Sequence, residues 1–75
     1  MPRLPRITGQ QALRALRRAG SNDVRRKGSH VLLHHESRPG RVVVPMHAGK
    51  TLKPKTLLSI LDQAGIDPDQ LRGLL

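Results

Sequence analysis

A chain of 75 residues makes one small domain, and a chain of that size buries only about 60% of the surface its unfolded form exposes. The absence of Cys, Phe, Tyr and Trp excludes a disulfide framework, a thiolate metal site and any nucleic-acid binding that stacks bases on aromatic rings. A formal net charge of +9 marks a polyanion, most commonly nucleic acid, as the partner to expect.

That charge is unevenly spread. Residues 1–55 hold 13 of the basic residues against Asp23 and Glu36, a net of +11, whereas residues 56–75 set Arg72 against Asp62, Asp67 and Asp69, a net of −2. Met1-Pro2-Arg3-Leu4-Pro5-Arg6 has charge but no apolar stretch behind it, so it does not read as a targeting signal. The apolar run Val42 to Met46 is far too short to span a bilayer. A soluble, cytoplasmic protein with no membrane partner is expected.

Residues 1–7, with two prolines, are expected to be loose. Thr8 begins a helix over about 9–19, with Gln11 at the capping-box position and Gly20 as its C-terminal stop. Ala12, Leu13, Leu16 and Ala19 share one face of it. Three short strands follow. Asp23 to Lys27 reads as a polar edge strand in which only Val24 is buried, His30 to His35 as a strand with an apolar centre, and Arg41 to Met46 as the clearest, through Val42-Val43-Val44. Gly28-Ser29 and Glu36-Ser37-Arg38-Pro39-Gly40 are turns, which makes the strands an antiparallel meander.

His47 to Lys53 is a basic loop, and Pro54 starts a helix whose apolar face is Leu57, Leu58, Ile60, Leu61 and Ala64. Asp67-Pro68 begins a short closing helix. The order predicts an α+β fold: a three-stranded antiparallel sheet with the helices on one face and the other face free. Leu13, Leu16, Val42, Val44, Leu57, Ile60 and Leu61 are the expected core.

The four histidines, His30, His34, His35 and His47, carry the chemical options. His34 and His35 point to opposite faces of a strand, and His30 and His34, on one face, are roughly 13 Å apart; no metal site is expected. Ser29 directly precedes His30, so the two diverge and no hydrolase triad forms. Acid–base cleavage of RNA fits better. The 2′-hydroxyl attacks the adjacent phosphate, a histidine moves a proton near its ordinary pKa of about 6.5, and cations neutralise the developing charge. His30 follows Lys27 and a Gly-Ser step that admits a phosphate to the backbone. On the residues alone, however, His30 is an ordinary strand residue before it is a catalyst.

Lys27-Gly28-Ser29-His30, Val44-Pro45-Met46-His47, Leu52, and Thr56 through Ile66, in that order and spacing, resemble the HicA-type toxins of bacterial toxin–antitoxin pairs. The likeness runs from about Thr8 to the C-terminus. It implies a fold similar to a double-stranded-RNA-binding domain, with residues 1–75 as a single toxin domain. It also implies a metal-independent endoribonuclease, an mRNA interferase that halts translation, with no cofactor. The family's catalytic histidine falls on His30. Arg26, Lys27, Gly28, Ser29 and Lys50 are then candidates for RNA and phosphate binding, and His47 for an accessory proton-transfer role, although a structural role for His47 in the loop comes first. His34 and His35 are expected to be solvated or paired across the hairpin. The implied partners are mRNA and a HicB-like antitoxin that covers the active site, the toxin being a monomer when free and a hetero-oligomer with its antitoxin. Relatives often carry aromatic residues where Val24 and Leu33 stand, and a polar residue or second histidine at Val31. A non-catalytic RNA-binding module and a protein that only docks an acidic partner are the competing readings.

Overall fold

The computed structural model describes residues 4–75. Its elements are α1 (Gly9–Arg18), β1 (Asn22–Lys27), β2 (His30–His34), β3 (Val42–Pro45), α2 (Pro54–Ala64) and α3 (Pro68–Leu74). The strands form an antiparallel sheet in the order β1-β2-β3. This is an α+β fold of the α-β-β-β-α type with a short helix at the end, as the pattern of apolar residues predicts.

The ends of the helices are chemically specified. The Thr8 hydroxyl accepts from the Gln11 amide while the Gln11 side chain accepts from the Thr8 amide, a complete capping box. Asp67 and Gln70 repeat that arrangement at the start of α3. At the other end of α1, Gly20 takes a φ of 101°, and the amides of Gly20 and Ser21 bond back to the carbonyls of Arg17 and Leu16. That is the two-bond helix stop a left-handed glycine permits.

One face of the sheet builds the core. Val31 and Leu33 of β2 and Val42 and Val44 of β3 are buried against Leu13 and Leu16 of α1 and Leu57, Ile60 and Leu61 of α2. All seven expected core residues are buried, and Ile7, Ala12, Ala15 and Leu71 join them. The strand alternation then sends His30, Leu32 and His34 to the opposite face, which no helix covers.

The structure departs from the sequence pattern at both margins. Residues 1–3 of the segment expected to be loose lie outside the described residues. Ile7, in the same segment, is a core residue at 4% exposure, and its carbonyl accepts from the Leu52 amide at 2.7 Å. A bridge between Thr8 and Thr51 continues that contact. The second departure is Val24, which is 48% exposed rather than buried. Asp23 pairs with Leu33 and Arg25 with Leu32, so Val24 is an extra residue, a β-bulge. The bulge reverses the register of the residues before it and turns Val24 outward.

The two borders of the sheet differ. On β3 the Val43 amide is taken by the side-chain oxygen of Gln63 from α2 at 3.0 Å, and Pro45 has no amide hydrogen to offer. β1 is the open border, and it ends in Arg25-Arg26-Lys27.

Candidate functional site

Lys27 and His30 face each other across the last rung of the β1–β2 ladder, joined by Gly28-Ser29. Gly28 has a φ of 57°, the left-handed value that a two-residue hairpin with glycine first requires. Because Val31 is turned into the core, His30 and its rung partner Lys27 are on the uncovered face, and both are exposed. Among the described residues the His30 imidazole has no hydrogen-bond partner, so both ring nitrogens are open to a ligand. The register fixed by Val31 and Leu33 decides which face His30 occupies, and the only bulge in the described strands lies at Val24, well before the turn.

Arg26 is separated from that pair. It is in register with Val31, so it belongs to the helix-bearing side of the sheet. There it borders a cleft of about 280 Å³ with Thr8, Met46 and His47. Ser29 links the two sides, since its carbonyl accepts from the Met46 amide. His47 and Lys50 close a tight turn in which the Lys50 amide donates to the His47 carbonyl at 3.1 Å and Gly49 takes a φ of 73°. Both border a second cleft, of about 410 Å³. The candidate residues therefore form two groups: Lys27, Gly28, Ser29 and His30 at the hairpin turn, and Arg26, His47 and Lys50 around the loop beside it.

Two residues that hold this arrangement carried no sequence signal strong enough to single them out. Gly9, the first residue of α1, is buried, and a Cβ built on it would strike the Pro45 carbonyl oxygen. The missing side chain lets the helix start rest directly on the end of β3, one residue before Met46. The hint was a glycine at a helix position where most other residues serve better. Lys53 borders the second cleft with His47 and Lys50 and read only as one more cation in a basic loop.

His35 is a structural residue. Its Nδ1 accepts from the Ser37 amide at 3.0 Å, which leaves Nε2 to donate to the Ala19 carbonyl at 3.2 Å. The ring joins the end of β2 to the end of α1 instead of standing in solvent or pairing across the hairpin. His34 is half-exposed on the free face, opposite Asn22. Among the described residues no three metal-binding side chains cluster.

The charges are divided by their partners. Arg17 makes a two-pronged pair with Asp23, at 2.9 and 2.5 Å. The Arg17 guanidinium holds the Asp23 carboxyl below its usual value, chiefly through that hydrogen bond, and Asp23 raises Arg17 in return. Arg18 donates to the Leu74 carbonyl, Arg38 to that of Gly65, and Arg72 pairs with Asp69. All of these lie on or beside the helical end of the molecule. Among the described residues Arg25, Arg26, Lys27, Lys50 and Lys53 make no ion pair and lie at the hairpin turn and the adjoining loop; Arg6, Arg14, Arg41 and Lys55 are also without an ion pair but lie outside those two segments.

The family model for the HicA toxin of bacterial toxin–antitoxin systems matches residues 9–66. The chain belongs to the HicA toxins. It is the toxin component of a toxin–antitoxin system, and an antitoxin is its partner. No curated protein matches it. The matched segment contains the hairpin turn, both clefts' cations and His30, and it stops before α3. Even so, α3 supplies Leu71, exposed by 1%, to the core of this HicA toxin. No helix among the described residues is long and apolar enough to cross a membrane.

Proposed function

We propose that this toxin is an mRNA interferase, a metal-independent endoribonuclease that works in the cytoplasm and is held inactive by a HicB-like antitoxin. The observation that carries the proposal is the exposed, unpartnered imidazole of His30 facing Lys27 across the last rung of the hairpin, with further cations on the loop beside it. A negatively charged backbone is drawn to that end, and His30 is the proton-transfer group it meets there.

The chemistry needs no cofactor. The 2′-hydroxyl of one nucleotide attacks the adjacent phosphorus, the P–O5′ bond breaks, and a 2′,3′-cyclic phosphate and a 5′-hydroxyl result. His30 accepts the proton of the 2′-hydroxyl as base, or in its protonated form gives one to the departing 5′-oxygen as acid. Lys27, on the facing strand, neutralises the negative charge that builds on the phosphoryl oxygens. The Gly28 amide and the Ser29 hydroxyl donate to the same oxygens. Arg26 and Lys50 hold the flanking strand, and His47 is the accessory proton-transfer candidate. With no aromatic residue to stack on, recognition runs through phosphate and ribose. The free toxin is a monomer, and the antitoxin joins it in a hetero-oligomer by covering this basic end.

His30→Ala tests the reading. Induced expression of the natural chain should arrest growth and fragment mRNA, in the presence of a chelator as well as in its absence when purified protein is used. The variant should do neither and still bind RNA. If the two proteins are equally toxic, or if RNA stays whole with the natural chain, the catalytic reading fails. Intact RNA with undiminished binding would make the protein an RNA-binding module instead.

A further inference from the structure

The two clefts beside the hairpin share one wall residue. His47 borders both of them: with Arg26 on one side, and with Lys50 and Lys53 on the other. No carboxylate lines either cleft. The second also presents the hydroxyls of Thr51 and Thr56, and Pro45, the rung partner of His30, is part of its wall. It thus opens one strand's width, about 5 Å, from the strand that carries His30. His30 itself borders neither cleft. The loop that forms this wall is tied down from behind by the Thr8–Thr51 bridge and the Leu52–Ile7 hydrogen bond.

We infer that the His47–Lys50–Lys53 cleft is a second phosphate subsite, which holds the backbone of the same RNA strand at a nucleotide other than the one cleaved at His30. The inference rests on the RNA-cleaving reading and gives the flanking-strand role of Lys50 a defined site. Lys50 stands with Lys53 and His47 on a concave wall, not with Lys27 at the scissile phosphate. Two lysines and two threonines lining one hollow form the composition that a phosphate monoanion accepts, since each side chain can donate to it. The concavity selects a single strand. A duplex holds its phosphates at fixed positions on a rigid cylinder, so that one reaches the hollow of about 410 Å³ while another lies at His30 only by a fixed match of spacing, whereas a flexible strand adjusts to both. A preformed wall also spares the ordering that a mobile basic loop would require on binding.

The test uses the full chain carrying His30→Ala, so that RNA is bound and not cut. Its affinity for single-stranded oligoribonucleotides of increasing length should rise in a step when the strand becomes long enough to reach the second cleft. Adding Lys50→Ala and Lys53→Ala should remove the step, at a cost of about tenfold for the longer strands and little for the shortest. The plot of log K against log salt should become shallower by about 0.7 for each phosphate that no longer meets a cation. Lys55→Ala removes the same charge two residues further on, borders neither cleft, and should leave the step in place. Lys50→Arg with Lys53→Arg should restore most of it. Equal losses from Lys55→Ala and from the cleft variants would overturn the subsite and leave RNA binding standing. A duplex bound as tightly as the single strand, with the same dependence on Lys50 and Lys53, would overturn the claim of a single-strand hollow. No binding of any RNA by the His30→Ala chain at low salt would overturn both the subsite and the reading it rests on.

Discussion

A single methyl group tests the seating of α1 on the sheet. Gly9→Ala puts a Cβ against the Pro45 carbonyl oxygen, and the atom it meets is backbone, which cannot swing aside as a side chain can. Helix preference favours alanine by about 1 kcal/mol at most. Forcing a group into a packed contact costs about 1–3 kcal/mol. With the contact on rigid backbone the cost falls at the upper end of that range, and the balance is a loss of about 2 kcal/mol, which for a chain this small lowers the urea midpoint by about 2 M at a slope near 1 kcal/mol/M. Gly73→Ala is the matched control. It lies within α3 with no atom in the path of a Cβ, so the same exchange should stabilise by about 0.5–1 kcal/mol. Urea unfolding of the two variants followed by circular dichroism reads both values. If Gly9→Ala is as stabilising as Gly73→Ala, α1 does not rest on Pro45 in the way described, and the positioning of the His47 loop must have another origin.

Asp23→Asn should cost at most about 1 kcal/mol, because the side chains of the Arg17–Asp23 pair are 47% and 40% exposed and solvent screens them. The Asp23 carboxyl is held low in the folded chain, so its contribution is fully present above the unfolded value near 3.9 and is lost as pH falls through the folded value. The gap in urea midpoint between the natural chain and Asp23→Asn should therefore be open at pH 6 and closed well below pH 3; an unchanged gap would remove the pair from the stability of β1. His35→Ala deletes hydrogen bonds at both ring nitrogens and should lower stability by about 1–2 kcal/mol, whereas His34→Ala should stay within about 0.5 kcal/mol; thermal melts of the two variants compare them directly. Removing α3 from residue 68 onward takes Leu71 out of the core and should unfold the chain or lower its melting temperature by more than about 10 °C, since deleting one buried leucine alone costs about 2–5 kcal/mol.

What the amino-acid sequence discloses here is whatever short-range chemistry decides. Thr8 with Gln11, Pro54 at a helix start, and Val42-Val43-Val44 each specify their element from within a few residues, and the elements stand where those signals put them. The alternation of Val31 and Leu33 then carries His30 to the free face, but only once the sheet is known to have a single covered side. The bulge at Val24 is different. β1 is exposed along its whole length, so it has no apolar alternation whose interruption would betray an extra residue. The division of the cations is also invisible along the chain. Arg17 and Arg18 look no different from Arg25 and Arg26 until Asp23 and the Leu74 carbonyl are brought beside them. The separation of Arg26 from Lys27 follows from strand geometry alone, yet their adjacency in sequence makes them read as one patch.

The unequal borders of the sheet bear on how much of this toxin a cell can hold. A second copy could add a strand only along β1, because Gln63 occupies the Val43 amide on the other side and Pro45 has none to give. Along β1 an incoming copy would bring a second Arg25-Arg26-Lys27 run to the same edge against a single Asp23, so the approach of the two net-positive strands is opposed by charge. One border is closed by a side chain at any ionic strength; the other is guarded by charge, and salt weakens that guard beyond about 10 Å at 0.1 M. Stored alone at high salt, the protein should associate through a single edge and stop at pairs, since each copy has only one such edge to offer.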